Sequence, residues 1–258
     1  MKNLKNILYG LVLIITVTVF ITNMNSCSKK EKSGPTMSGD EAEKVYVAPG
    51  KYDEFYYFVS GGFSGQLAAY GIPSGRLLKV IPVYSVNPEN GYGYTEESKP
   101  MLNTSYGFVP WDDSHHSELS QTDGIPDGRW VFINGNNTPR LARIDLKTFR
   151  TVEILEIPNS AGNHSSPFIT PGTEYVVAGT RFSVPVPNKD VPISTYKENF
   201  RGTISFIKVD KDKGDMSIAF QLITPPYDYD LSHAGKGPSY GWFFFSCYNS
   251  EEANTLLE

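Results

Sequence analysis

The feature that most limits what this chain can fold into is its cadence. From residue 55 onward, short runs rich in aromatic and β-branched residues are broken by glycine, proline, asparagine and aspartate at intervals too short for helices. Phe55-Tyr56-Tyr57-Phe58-Val59 predicts a strand, Gly61-Gly62 a turn, Gln66 to Tyr70 a second strand, Pro73-Ser74-Gly75 a turn, and Leu77 to Tyr84 a third. The cadence returns as Trp130-Val131-Phe132-Ile133, Leu141-Ala142-Arg143-Ile144 and Thr151 to Ile157, with turns at Gly135-Asn136-Asn137 and Asp145-Leu146-Lys147. Tyr175-Val176-Val177-Ala178, Thr203 to Val209 and Ile218 to Leu222 make a third group around a turn at Asp210 to Gly214, and Trp242 to Ser246 opens a fourth. Repeated antiparallel meanders of three or four strands are how β-propeller blades are written. The expected fold class is therefore all-β, a β-propeller, with uneven spacing because long loops are inserted between meanders.

Composition agrees where it bears on this. Sixteen Tyr, 15 Phe, 23 Gly and 18 Pro favour strands and turns over helices, and 258 residues at 40% hydrophobic content suffice for one domain with a buried core. The formal charge of -5 comes with no dense basic stripe, which argues against a nucleic-acid partner.

The N-terminus reads as an export signal over residues 1–26: Lys2 and Lys5 precede an apolar segment from Ile7 to Ile21, short of the roughly 20 residues that a spanning helix needs. Cys27 follows Met24-Asn25-Ser26, a loose version of the site at which bacterial lipoproteins are cleaved and acylated on cysteine. A periplasmic protein anchored to the membrane by lipid on Cys27 is expected, with a plain secreted protein as the alternative. The polar interval 27–45 reads as a flexible tether, and 46–258 as a partial propeller. Cys247 is the other cysteine, and no internal disulfide is expected.

Two insertions carry the chemistry. Tyr84 to Gly128 contains Trp111-Asp112-Asp113-Ser114-His115-His116, two of the four histidines directly behind two carboxylates. Neutral imidazole suits zinc, copper, iron and nickel, and a ligating imidazole usually passes its other N–H to a carboxylate or carbonyl, a part Asp112 or Asp113 could take. Neighbours on a strand point to opposite faces, so adjacent histidines share a site only on irregular backbone or around a multi-metal cluster; Pro110 and the polar run argue for a loop. The plainer reading is an exposed loop holding two histidines. Asn159 to Pro171 carries His164, between Gly162 and Pro167, and loops at one end of a scaffold are where sites are built. His233 lies in a glycine-rich stretch, read as a loop, and fits no ligand motif.

Longer segments carry more information. Gly107-Phe108-Val109-Pro110-Trp111-Asp112-Asp113-Ser114-His115-His116, Asn134-Gly135-Asn136-Asn137-Thr138-Pro139-Arg140, Ile157-Pro158-Asn159-Ser160-Ala161-Gly162-Asn163-His164, Val177-Ala178-Gly179-Thr180-Arg181-Phe182 and Tyr248-Asn249-Ser250-Glu251 together resemble nitrous oxide reductase, in the same order. The leader, with no Arg-Arg pair, resembles the clade with a Sec-type signal. The resemblance implies an enzyme that reduces N2O to N2 and water with two electrons and two protons, at a tetranuclear copper-sulfide centre in a seven-bladed propeller. It implies that His115, His116 and His164 are three of seven histidine ligands, that Asp113 stands on the substrate side of the cluster, and that Tyr248 and Glu251 bind calcium. It further implies a periplasmic electron donor such as a c-type cytochrome, and a head-to-tail homodimer. The other four ligands and a cupredoxin domain with a dinuclear copper centre are expected beyond Glu258, which would make this chain the N-terminal part, the first three to four blades, inactive alone. Two other functions compete: a non-catalytic metal-binding propeller lipoprotein, and a propeller hydrolase drawing on Asp112, Asp113 and Asp123, for which no nucleophile and base pair is recognisable.

Overall fold

A computed structural model of the chain describes residues 40–164, 167–226 and 229–247. The chain divides between Tyr52 and Asp53 into two units. In the first, the described residues begin with a five-residue helix, α1 (Asp40–Lys44), inside the interval expected to be tether.

The second unit is built of antiparallel sheets. β1 (Phe55–Ser60), β2 (Gln66–Ile72) and β3 (Leu77–Pro82) form the first meander. A two-residue pair, β4 (Asn103–Thr104) with β5 (Gly107–Phe108), follows in the long insertion. The second meander has four strands, β6 (Ser114–Thr122), β7 (Ile125–Gly135), β8 (Arg140–Asp145) and β9 (Arg150–Glu156), hydrogen-bonded in that order. The third has β10 (Phe168–Ile169), β11 (Tyr175–Gly179), the short β12 (Val184–Pro185), β13 (Phe200–Val209) and β14 (Met216–Thr224), with β13 paired to β11, β12 and β14. A one-turn helix, α2 (Tyr196–Asn199), leads into β13. β15 (Tyr229–Ala234) and β16 (Phe243–Cys247) pair as the start of a fourth sheet.

Alternation along the strands explains how these sheets stack as blades. On β7, Val131 and Ile133 point into one cluster with Leu67 and Ile81 of the first meander, whereas Trp130 and Phe132 point into another with Val176, Ala178, Ile207 and Val209 of the third. The third meander repeats the arrangement: Val177, Ile204 and Phe206 turn away from the second sheet and pack with Phe168 and Tyr229. A sheet covered on both faces needs an unbroken apolar run, which is why Trp130-Val131-Phe132-Ile133 shows no polar alternation, and each such side chain contributes about 1.5–3 kcal/mol of burial. Consecutive antiparallel sheets of three to five strands packed face to face are propeller blades, as the sequence predicts.

Two expectations change here. The histidine pair belongs to the start of β6, not to a loop, and the exposed His233 lies on β15, paired with Phe244, not in a loop.

Candidate metal centre

Strand geometry alone would send His115 and His116 to opposite faces, and the ladder shows how this is avoided. Ser114 pairs with Gly135 and Ser117 with Ile133, so β6 spends one more residue than β7 over the same interval. That extra residue is a β-bulge, which re-aims side chains at the cost of a ladder bond. Both imidazoles thereby turn toward His164, which arrives from the segment between β9 and β10. Ring centroids are 4.6 Å apart for His115 with His116, 4.6 Å for His115 with His164 and 5.3 Å for His116 with His164. One ligating nitrogen from each can be chosen so that all three lie within 4.8 Å of one another, and among the described residues this is the sole such group of histidine, cysteine or acidic side chains.

Glycine permits the approach of the His164 segment. Gly162 has φ +71°, and a Cβ there would sit 2.3 Å from the Asn136 carbonyl oxygen, an impossible contact. Asn163 N–H then donates to Gly135 O at 3.0 Å, and Arg181 N–H to Gly162 O at 3.0 Å.

The two aspartates part company. Asp113 turns to the histidines: its Oδ2 lies 3.5 Å from His115 Nδ1 and accepts from Asn136 Nδ2 at 2.8 Å, while its Oδ1 is buried without a hydrogen-bond partner. Asp112, fully buried, turns the other way. Its carboxylate accepts from Asp113 N–H at 2.8 Å, Asn137 N–H at 2.9 Å, Thr138 N–H at 3.1 Å and the Thr138 hydroxyl, and faces the buried Arg140 guanidinium at 3.5 Å. Arg140 also donates to Val109 O and Trp111 O at 3.1 Å each and lies over the Tyr84 ring. Burial pushes the Tyr84 phenol well above its ordinary range, with the Asp112 charge adding to the rise and Arg140 opposing it. The pair is thus a fully bonded clamp that fixes the entry to β6.

The residues alone leave Asp112 and Asp113 equivalent and the family resemblance names Asp113; in the structure Asp113 lies beside His115 and Asp112 faces Arg140. Nor do the residues alone single out the buried Asn134, which meets His116, Asn136, which meets Asp113, or Arg140, which meets Asp112, although each lies in the segment Asn134 to Arg140 that carries part of the family resemblance. A run of polar residues closing an apolar strand was the available signal. Tyr248 and Glu251 lie outside the described residues.

The chain is thus a β-propeller protein with a cluster of three imidazoles able to hold a metal ion. No family model matches it. It is 36% identical over 214 residues to the nitrous-oxide reductase of Pseudomonas fluorescens, covering 83% of this chain and 32% of that protein, and 34% identical over 218 residues to that of Stutzerimonas stutzeri, covering 84% and 33%. The chain belongs to the nitrous-oxide reductase family, and it spans about a third of the length of the curated relatives it matches. Among solved structures it aligns with a Kuenenia stuttgartiensis hydrazine synthase (TM-score 0.42, 15% identity, 74% of this chain and 58% of that one) and with the Dos1 propeller (TM-score 0.38, 16% identity, 69% and 36%). Those two likenesses are too low to carry an argument.

Proposed function

We propose that this chain is part of a copper-dependent nitrous-oxide reductase, in which His115, His116 and His164 bind copper and Asp113 orients His115. The observation that carries the reading is the convergence of three imidazoles from two distant segments beside a buried carboxylate. The donor set suits the metal: nitrogen ligands without the six to eight oxygens that calcium or magnesium demand favour a first-row transition metal, and copper stands at the top of the affinity order for such donors. Copper held there would polarise weakly binding N2O and supply the two electrons that its conversion to N2 and water consumes.

The chain's own part is positional. The bulge in β6 presents two imidazoles together, the Gly162 turn delivers the third, and the Asp113 carboxylate stands beside His115 Nδ1, where it would orient that ring. Three imidazoles can hold one ion but not a tetranuclear centre. Further ligands and the dinuclear electron-entry site are assigned to the two thirds of the relatives' length that this chain does not span. A calcium site at Tyr248 and Glu251, electron delivery by a c-type cytochrome and a homodimer complete the proposal on family resemblance alone, and a periplasmic location with lipid on Cys27 rests on the export-signal pattern of residues 1–26 and the Met24-Asn25-Ser26-Cys27 stretch.

The test is made in the complete reductase. Replacing His115, His116 or His164 by Ala should abolish N2O consumption and lower the copper content. Full copper and full activity in His164→Ala would remove His164 from the site, and a complete protein that holds copper without consuming N2O would favour the non-catalytic reading.

A further inference from the structure

A bulge that aims two imidazoles the same way has a cost elsewhere: it leaves a backbone N–H on the bulged strand without its ladder partner. Here that N–H belongs to His116, and it donates to the side chain of Asn134, at 2.7 Å from Oδ1. Asn134 is fully buried on β7, paired across the sheet with Leu141. The other end of the same amide donates from Nδ2 to the carbonyl oxygen of Asn163, the residue before His164. Its orientation is fixed by these partners, since an N–H can only be met by the amide oxygen and a carbonyl only by the amide nitrogen. One planar group thus touches the backbone of both histidine-bearing segments.

We infer that Asn134 is a positioning residue that sets the distance between the His115-His116 pair and His164. The inference rests on the reading of those histidines as a copper site. No other side chain of this size does both jobs. Aspartate keeps the shape and the acceptor for His116 N–H but turns an oxygen toward the Asn163 carbonyl. Leucine keeps the volume and satisfies neither. Thr151 on β9 provides the comparison: it is also buried, and its hydroxyl donates to Pro82 O at 2.8 Å, away from the histidines.

The experiment uses the full chain with Cu(II) alone as probe, read by calorimetry and by the nitrogen splitting in electron paramagnetic resonance. The unaltered chain should bind one copper through three nitrogens. Asn134→Asp should bind about 10 to 100-fold more weakly, the usual effect of removing a group that orients a ligand, and should show two nitrogens, because His116 stays held while His164 is released. In the metal-free chain, nuclear Overhauser contacts between the His116 and His164 rings should disappear in the same variant. Asn134→Ser, which brings no buried charge, serves where N134D does not fold, with weaker binding again expected. Thr151→Val should lower the melting temperature and leave copper binding unchanged. Three nitrogens at unaltered affinity in N134D or N134S would overturn the inference while leaving the copper site standing. So would equal weakening by Thr151→Val at a matched loss of melting temperature. If the unaltered chain binds no copper through three nitrogens, or His164→Ala binds as tightly as the unaltered chain, the copper reading fails and this inference with it.

Discussion

Strand β7 passes through two different materials. Its middle, Trp130 to Ile133, is sealed between two apolar clusters, while its last residues, Asn134 and Gly135, enter a buried assembly of aspartate, asparagine, threonine and arginine around the histidines. The apolar middle needs only shape and volume, so many substitutions would leave the blade intact. The polar end needs each donor to meet an acceptor, because a buried unpaired group costs about 1–3 kcal/mol and more if charged. That end is therefore where the sequence is least replaceable and where geometry is held most firmly.

The difference can be broken most severely at Asp112. Asp112→Ala leaves Arg140 buried without its carboxylate, and removing one partner of a buried pair costs about 3–5 kcal/mol; chemical denaturation should show that loss together with weakened copper binding. Leu141→Ala, a cavity in the apolar part, should cost a comparable or slightly smaller amount, about 2–5 kcal/mol, yet leave copper affinity unchanged in whatever fraction remains folded. Equal metal loss in both variants would erase the distinction between the two regions. Ile133→Val should cost about 0.5–1.5 kcal/mol with no effect on copper.

A pH-dependent effect belongs to the far end of β7. Burial raises the Asp127 carboxyl, but hydrogen bonds from Arg129, Ser120 and Thr122 outweigh it and hold the group at about 2, below its ordinary 3.8. A carboxyl depressed in the folded state contributes stability that is present above the ordinary value and lost as pH falls through the folded one. Acid unfolding curves of Asp127→Asn should accordingly lose part of their dependence between about pH 4 and 2. A curve parallel to that of the unaltered chain would remove Asp127 as a contributor.

The same contrast explains what could be read from the sequence. Phe55 to Val59, Trp130 to Ile133 and Tyr175 to Ala178 announce themselves because both faces are apolar, and β1, β7 and β11 stand there. Strand β6 does not, since Ser114-His115-His116-Ser117-Glu118-Leu119-Ser120-Gln121 has the composition of a loop, and its strand character comes from pairing with β7. β15 was hidden for the same reason, by Asp230, Ser232 and His233. The three histidines were legible as candidates. Their convergence is legible through the family resemblance and not from the residues alone, because it depends on a one-residue bulge and on the close packing that Gly162 permits, neither of which has a periodic signature.

The proposed copper site requires that these three imidazoles bind one ion. Its most direct test is a crystal of the chain soaked in copper and measured on both sides of the copper absorption edge. One anomalous peak is expected within about 2.0–2.1 Å of a nitrogen from each of His115, His116 and His164, the spacing found for first-row metals such as zinc. A peak bound by His115 and His116 with His164 turned away, or copper bound only elsewhere, would contradict it.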